Sequence, residues 1–306
     1  MRNHHQDQGL SKVVKLTRKK TLLLGIGTLL IATWLVYRSC NSSQASNTGG
    51  PAIEVDQGAS GTRVATMAEV LQLARESLET MKTQLDDYTA TFVKQERDTH
   101  GVMTEETESF MKVQTRMRNA DDDAPLRVYL RFERPESIKG REVIWGKDLY
   151  GGNMQVKEAG LLGMMTISLD PNGMIAMRGQ RYPISEIGIV KLVEQLIERG
   201  LRDVDNPDIT VTISSDHQIG DLRVDLIQVR RAKPSGEEDD FALAEIAFDP
   251  ARKLILSYRS FGWPSSDAGD DAELPLLESY NYKNLKTNVG LTDADFETTN
   301  PAYNFP

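Results

Sequence analysis

Clusters of carboxylates, four histidines, one cysteine and a group of methionines are the residues of this chain that could do chemistry. The acids gather at Glu105/Glu106/Glu108, Asp121 to Asp123, Glu237 to Asp240 and Asp267/Asp270/Asp271/Glu273. Paired carboxylates could serve a hydrolase as acid and base, or hold calcium. Hydrolysis needs one carboxyl kept protonated in an apolar setting, and calcium needs a defined ligand spacing. Each cluster instead lies in or beside a turn pattern and lacks the EF-hand spacing, so all four read as solvated loops, and a hydrolase stays a third alternative. His4 and His5 precede a hydrophobic run; His100 and His217 read as turn residues. A Ser/His/Asp triad built on His217 beside Asp216 is the weaker reading of that pair. The chain has no GxSxG elbow, no GxxxxGK[ST] phosphate loop and no HExxH motif.

Met154, Met164, Met165, Met174 and Met177 are five of the 11 methionines. Soft thioethers in Met174-Ile175-Ala176-Met177 could hold Cu(I), but the same residues suit core filling or an adaptable apolar surface. No cofactor or metal is expected. Cys40 is the only cysteine, which rules out an internal disulfide and a CxxC redox pair.

These groups must be carried by a 306-residue chain that is 39% hydrophobic and 26% charged, enough for a substantial core. The net charge of −9 conceals an asymmetry. Residues 1–40 hold seven Lys/Arg and one acid, or +6, leaving 29 bases against 44 acids, or −15, in residues 41–306. An acidic body is repelled by phosphodiester backbones and by anionic head groups, so nucleic acid is not an expected partner.

Residues 1–20 form a basic segment, and residues 21–37, TLLLGIGTLLIATWLVY, carry no charge. As a helix the latter spans about 26 Å, just enough for a bilayer core if the flanking cations snorkel. The basic flank comes first, which places the N-terminus in the cytoplasm and the rest beyond a bacterial inner membrane, in the periplasm. A retained single-pass signal anchor is one fate. Cleavage after Ala45, giving a secreted protein, and lipidation of Cys40 are two others. Residues 38–66 are a linker, rich in Ser, Gly, Asn and Ala from residue 41, with a random-coil reach of about 28 Å.

The folded body is expected over residues 67–306. Val70, Leu71, Ala74, Leu78, Met81 and Leu85 recur at helical steps, giving an amphipathic helix that ends before Tyr88. Period-two runs follow. Met111, Val113, Thr115 and Met117 share one face, and Leu126, Val128, Leu130 and Phe132 alternate with Arg127, Tyr129, Arg131 and Glu133. Such alternation predicts a sheet with one apolar face and one wet, charged face. A second helix is predicted from Ser185, as its cap, to about Leu201, with strands resuming to the end. The class is α+β, with one large antiparallel sheet of about nine to eleven strands and two or more helices.

Three segments, LDDYTATFVKQER, RFERPESIKGREVIWGKD and ESYNYKNLKTNVGLTDADF, resemble the bacterial domain-of-unknown-function 1571 family (DUF1571) over about Met67 to Phe296. More distantly, through Tyr88, Phe92, Gln95, Pro135, Tyr280, Tyr282, Asn288, Leu291 and Phe296, the chain resembles the LolA/LolB lipoprotein-carrier superfamily. That resemblance implies a curved antiparallel half-barrel wrapped around helices, with an apolar cavity for acyl chains of a lipid or lipoprotein, and no catalysis. The expected lining is Phe92, Met111, Val113, Val128, Leu130, Phe132, Val143 and Trp145, with Met164 and Met165 at the mouth. A body tethered to the inner membrane would hold or hand on its ligand rather than shuttle. An envelope sensory or protein-interaction module, with a protein partner in the envelope, is the alternative.

Overall fold

The computed structural model describes residues 61–115, 126–160, 165–237, 239–265 and 272–306. The basic segment, the anchor at 21–37, Cys40, most of the linker, Asp121 to Asp123, Met117, Met164, Glu238, Asp267, Asp270 and Asp271 lie outside them. Among the described residues no helix is long and apolar enough to cross a membrane.

Helix α1, Met67–Gln84, begins where Thr66 accepts the Glu69 N–H at 3.2 Å, with Glu69 in the first turn and Lys82 in the last. Both charges complement the helix dipole. Its stripe buries Met67, Val70, Leu71 and Met81. Helix α2, Ile189–Arg202, starts four residues later than Ser185, which lies in a short 3-10 turn. Gly188 takes the cap position at φ 105°, and the Tyr88 hydroxyl accepts the Ile189 N–H at 3.1 Å. The first turn is thus capped from across the fold rather than from its own sequence. A Cβ on Gly188 would stand 2.9 Å from that hydroxyl, so both conformation and space require glycine.

The strands are β1 (Thr62–Ala65), β2 (Asp87–Glu96), β3 (Thr107–Gln114), β4 (Arg127–Arg134), β5 (Glu142–Gly146), β6 (Met154–Lys157) and β7 (Thr166–Leu169). After α2 come β8 (Ile209–Ile219), β9 (Leu222–Arg231), β10 (Leu243–Asp249), β11 (Leu254–Phe261) and β12 (Leu276–Thr287). They form one antiparallel sheet of 12 strands in the order β1-β8-β9-β10-β11-β12-β2-β3-β4-β5-β6-β7. The count exceeds nine to eleven because of β1 and β7, four residues each and largely exposed. Each is held at a sheet edge by backbone pairing to one neighbour, so neither carries an apolar period long enough to read. The sheet already begins at Thr62, inside the stretch read as linker.

Register lays apolar rows across the helix-bearing inner face. Tyr88, Val113, Val128 and Trp145 form one row, and Ala90, Met111, Leu130, Val143, Val156 and Ile167 a second. The second row is buried as far as Val156 and emerges at Ile167, 39% exposed.

The outer face is not uniformly wet. Tyr129 and Ile144 are buried there beneath a C-terminal strap that brings Leu291, Phe296 and Tyr303 onto them. Tyr303 stacks on Tyr129 with ring centroids 4.0 Å apart. The Asp87 carboxylate holds the near end of the strap by accepting the N–H groups of Val289, Gly290 and Leu291 at 2.7, 3.2 and 2.9 Å. Buried Glu142 holds the far end by accepting the Asn304 side-chain amide at 2.6 Å.

Candidate functional site

Two features of the inner face stand out: an apolar cavity and, beside it, a buried ionic cluster. The cavity, about 70 Å³, lies between α1, α2 and strands β9 to β11. Leu71, Ala74 and Ser77 of α1 and Leu196 and Gly200 of α2 form its roof. Ile227 and Val229 of β9, Ala244, Ile246 and Phe248 of β10, and Ile255 and Tyr258 of β11 form its floor. The helical period of α1 and the strand alternation of β9 to β11 aim apolar side chains at one another across this gap. At Gly200 the helices touch closely: a Cβ there would stand 2.9 Å from Leu71 Cδ2. The roof is tied to the sheet where the Ser77 hydroxyl donates to the Lys253 carbonyl at 2.6 Å. A space of this size holds about five water-sized groups.

The expected lining residues lie on the other half of the sheet. Phe92, Met111, Val113, Val128, Leu130, Val143 and Trp145 are at most 7% exposed, and Phe132 is half-buried. None borders the larger cavity. Ala176, Ile184 and Ile187, from the chain between β7 and α2, pack against the buried cluster that contains them. Val113 borders a hollow of about 20 Å³ shared with Tyr88, Leu126 and Ile189. Met165 is 68% exposed, and Met164 lies outside the described residues.

At one end of the cavity, Arg199 and Tyr258 line its wall and reach into the ionic cluster. Glu96 and Glu278 face each other across the β2–β12 ladder and are 1% and 2% exposed. Like charges in that position repel. The Tyr280 hydroxyl bridges them, 2.7 Å from Glu96 and 3.0 Å from Glu278. Lys94 donates to Glu96 at 2.9 Å, Arg199 to Glu278 at 3.2 Å, and Arg181 stands 3.7 Å from Glu278. Ser260 donates to Glu278 at 3.1 Å, and the Tyr182 hydroxyl accepts from Arg199 at 2.6 Å. Burial opposes the charge of Arg199, but Tyr258, Glu278 and Tyr182 outweigh it and hold the guanidinium above its ordinary range. Both acids are held by these partners, and neither lines the cavity or the smaller hollow, so the cluster fixes β2, β12 and α2 together rather than presenting an acid and a base to a substrate.

Burial pushes the phenols of Tyr88, Tyr258, Tyr280 and Tyr282 above the ordinary value of 10.0. Below pH 10 these groups are neutral folded and unfolded, and their contribution to stability is intact. Above it the unfolded chain ionises first, so stability falls by about 1.4 kcal/mol per pH unit for each such phenol. Urea midpoints measured from pH 8 to 11 should decline steeply beyond 10; a flat profile would contradict this account.

The acidic clusters that attracted attention in the sequence differ from these acids. Asp239 pairs with Arg202 at 2.5 Å, and Asp240 accepts from Trp263 at 2.9 Å, so part of the Glu237 to Asp240 loop is ion-paired rather than simply solvated. His100 lies in a turn, its N–H donating to Asp98, whereas His217 is buried within β8. Among the described residues no group of three His, Cys, Asp or Glu is placed to hold a metal ion. Glu96 and Glu278 were legible by parity: Glu96 shares a strand face with Tyr88, Ala90 and Phe92, and Glu278 with Tyr280 and Tyr282. A charge on an apolar face was the signal.

A family model described as a protein of unknown function, DUF1571, matches residues 85–305. A search of curated proteins finds no match. Among solved structures, the chain is similar to a DUF1329 family protein from Desulfovibrio piger, at 11% identity over 76% of this chain and 98% of that one, with a TM-score of 0.36. It is similar to a putative outer membrane lipoprotein-sorting protein domain from Vibrio parahaemolyticus, at 10% identity over 76% and 97%, with a TM-score of 0.32. It is also similar to a chain of the Pseudomonas aeruginosa MucA/MucB complex, at 14% identity over 75% and 60%, with a TM-score of 0.40.

Proposed function

We propose, from the premise that the chain belongs to the DUF1571 family, that it is a membrane-tethered envelope protein whose sheet and helices hold an acyl chain without catalysis. The observation that carries this reading is the apolar cavity under α1 and α2. Burial of each methylene contributes about 0.8 kcal/mol, so the five or so that fit would supply roughly 4 kcal/mol, millimolar affinity at best. Tighter binding requires α1 to lift from β9 to β11 and admit more of the chain. The roof suits such movement, since a single hydroxyl contact at Ser77 and the Glu76–Lys253 surface pair at 3.2 Å tie that turn of α1 to the β10–β11 corner. In this proposal residues 21–37 anchor the protein, with the N-terminus in the cytoplasm and the body in the periplasm.

Photocrosslinking tests the reading on the full chain in a bilayer. A fatty acid carrying a diazirine near its methyl end should label peptides of α1 and β10, around Leu71 and Ile246. Ala244→Phe places a ring in the cavity, displaces several methylenes and should cut that labelling about tenfold. Label confined to residues 21–37, or equal labelling of wild type and variant, would remove the cavity from the account.

A further inference from the structure

We propose that the segment Met165–Met177 docks on a lipid bilayer, seating Met165, Ile167, Met174 and Ile175 among the head groups. These four side chains are 68%, 39%, 90% and 75% exposed, and they fall within thirteen consecutive residues. Apolar side chains concentrated in this way mark an interaction surface rather than ordinary scatter.

The segment is an ordered presentation. The Gly173 N–H donates to the Asp170 carbonyl, the Asn172 N–H to the Asp170 carboxylate and the Met177 N–H to the Gly173 carbonyl, each at 2.9 Å. Those bonds fix the turn that carries Met174 and Ile175 away from the body. Ile167 is the exposed end of the inner-face row that runs back through Val156 and Val143. Met165 immediately precedes the strand.

Charge decides between a bilayer and other occupants. In a chain that is 26% charged, residues 159–177 contain one charge, Asp170. Across residues 157–178, Lys157 and Arg178 balance Glu158 and Asp170, a local net charge of zero, whereas residues 41–306 together carry −15. An anionic leaflet repels the body and tolerates this segment. Apolar tips flanked by cations are the pattern of interfacial insertion, and methionine adapts to an irregular surface. The anchor expected at 21–37, with a linker reaching about 28 Å, keeps a bilayer close. Burial of Met174 and Ile175 alone corresponds to a preference on the order of a hundredfold for the docked state. The contact is independent of whether the cavity holds a chain.

The test uses the full chain with Cys40→Ser, reconstituted in vesicles of phosphatidylcholine and phosphatidylglycerol. A polarity-sensitive dye is attached through Met174→Cys or, as a second position, Ile175→Cys. Val102→Cys, at a site 61% exposed in another loop, is the control. Dye at 174 and 175 should shift to the blue and lose about half its emission to brominated acyl chains, while dye at 102 does neither. Adding Ile175→Asp to Met174→Cys should return quenching to the control level. Equal quenching at 174 and 102, or no quenching at either, overturns the proposal. So does a blue shift that ignores brominated lipid and grows with protein density, because a second copy would then be the occupant.

Discussion

Glu278→Ala is expected to destabilise the protein by about 3–5 kcal/mol, the usual cost of breaking a buried ion pair from one side. The Glu278 carboxylate is 2% exposed and accepts from Arg199, Ser260 and Tyr280. Its removal leaves the Arg199 guanidinium beside an apolar cavity without its main counter-charge. Glu278→Gln keeps an acceptor oxygen for Ser260 and Tyr280 and should cost less than Glu278→Ala. Urea unfolding followed by far-ultraviolet circular dichroism reads both. A Glu278→Ala midpoint equal to wild type would show that the cluster contributes nothing net to stability.

Phe296→Ala should cost a similar amount, about 3–5 kcal/mol, by opening a void in a small cluster that cannot collapse around it. Phe296 is fully buried and ends a short turn, Asp293–Phe296, fixed by a reciprocal cap between Thr292 and Asp295. Leu291, Tyr303, Tyr129 and Ile144 are the other buried members of its cluster. Amide exchange offers a second readout: Tyr129 and Ile144 should lose protection while the α1 amides keep theirs. Uniform loss across the sheet would mean that the strap and sheet unfold as one unit.

Much of this fold is written in local pattern. Period-two alternation reads out β3 and β4, and the Val70–Leu71–Met81 stripe reads out α1, because those elements bury one face and the alternation is the record of that burial. β1 and β7 left no such record, being edge strands held by backbone bonds. The start of α2 is not written locally, because its cap, Tyr88, comes from a strand about a hundred residues earlier. Alternation with Val128 and Leu130 points Tyr129 to the wet face, and only the folded strap shows what covers it. The cavity was the least legible feature. Alternation tells which side of β2 to β5 or β9 to β11 is apolar, but Leu130 and Ile246 carry the same local signature. Whether a helix or a loop fills the space above each is a matter of long-range packing. Leu130 lies in the packed half and Ile246 beneath the hollow.

The pairing of β12 with β2 has a consequence for how the chain is made. Strands β2 to β7 form one run of neighbours and β8 to β12 another, and they meet along the β12–β2 ladder, where Tyr282 lies opposite Phe92. A nascent chain in which β12 has not yet emerged therefore exposes two unsatisfied seams, β2 and β11. Loop-closure entropy makes that late union slow, and naked seams invite association with other chains. β12 is the piece that joins the two runs, so a chain cut before Leu276 should yield aggregates rather than a smaller folded product.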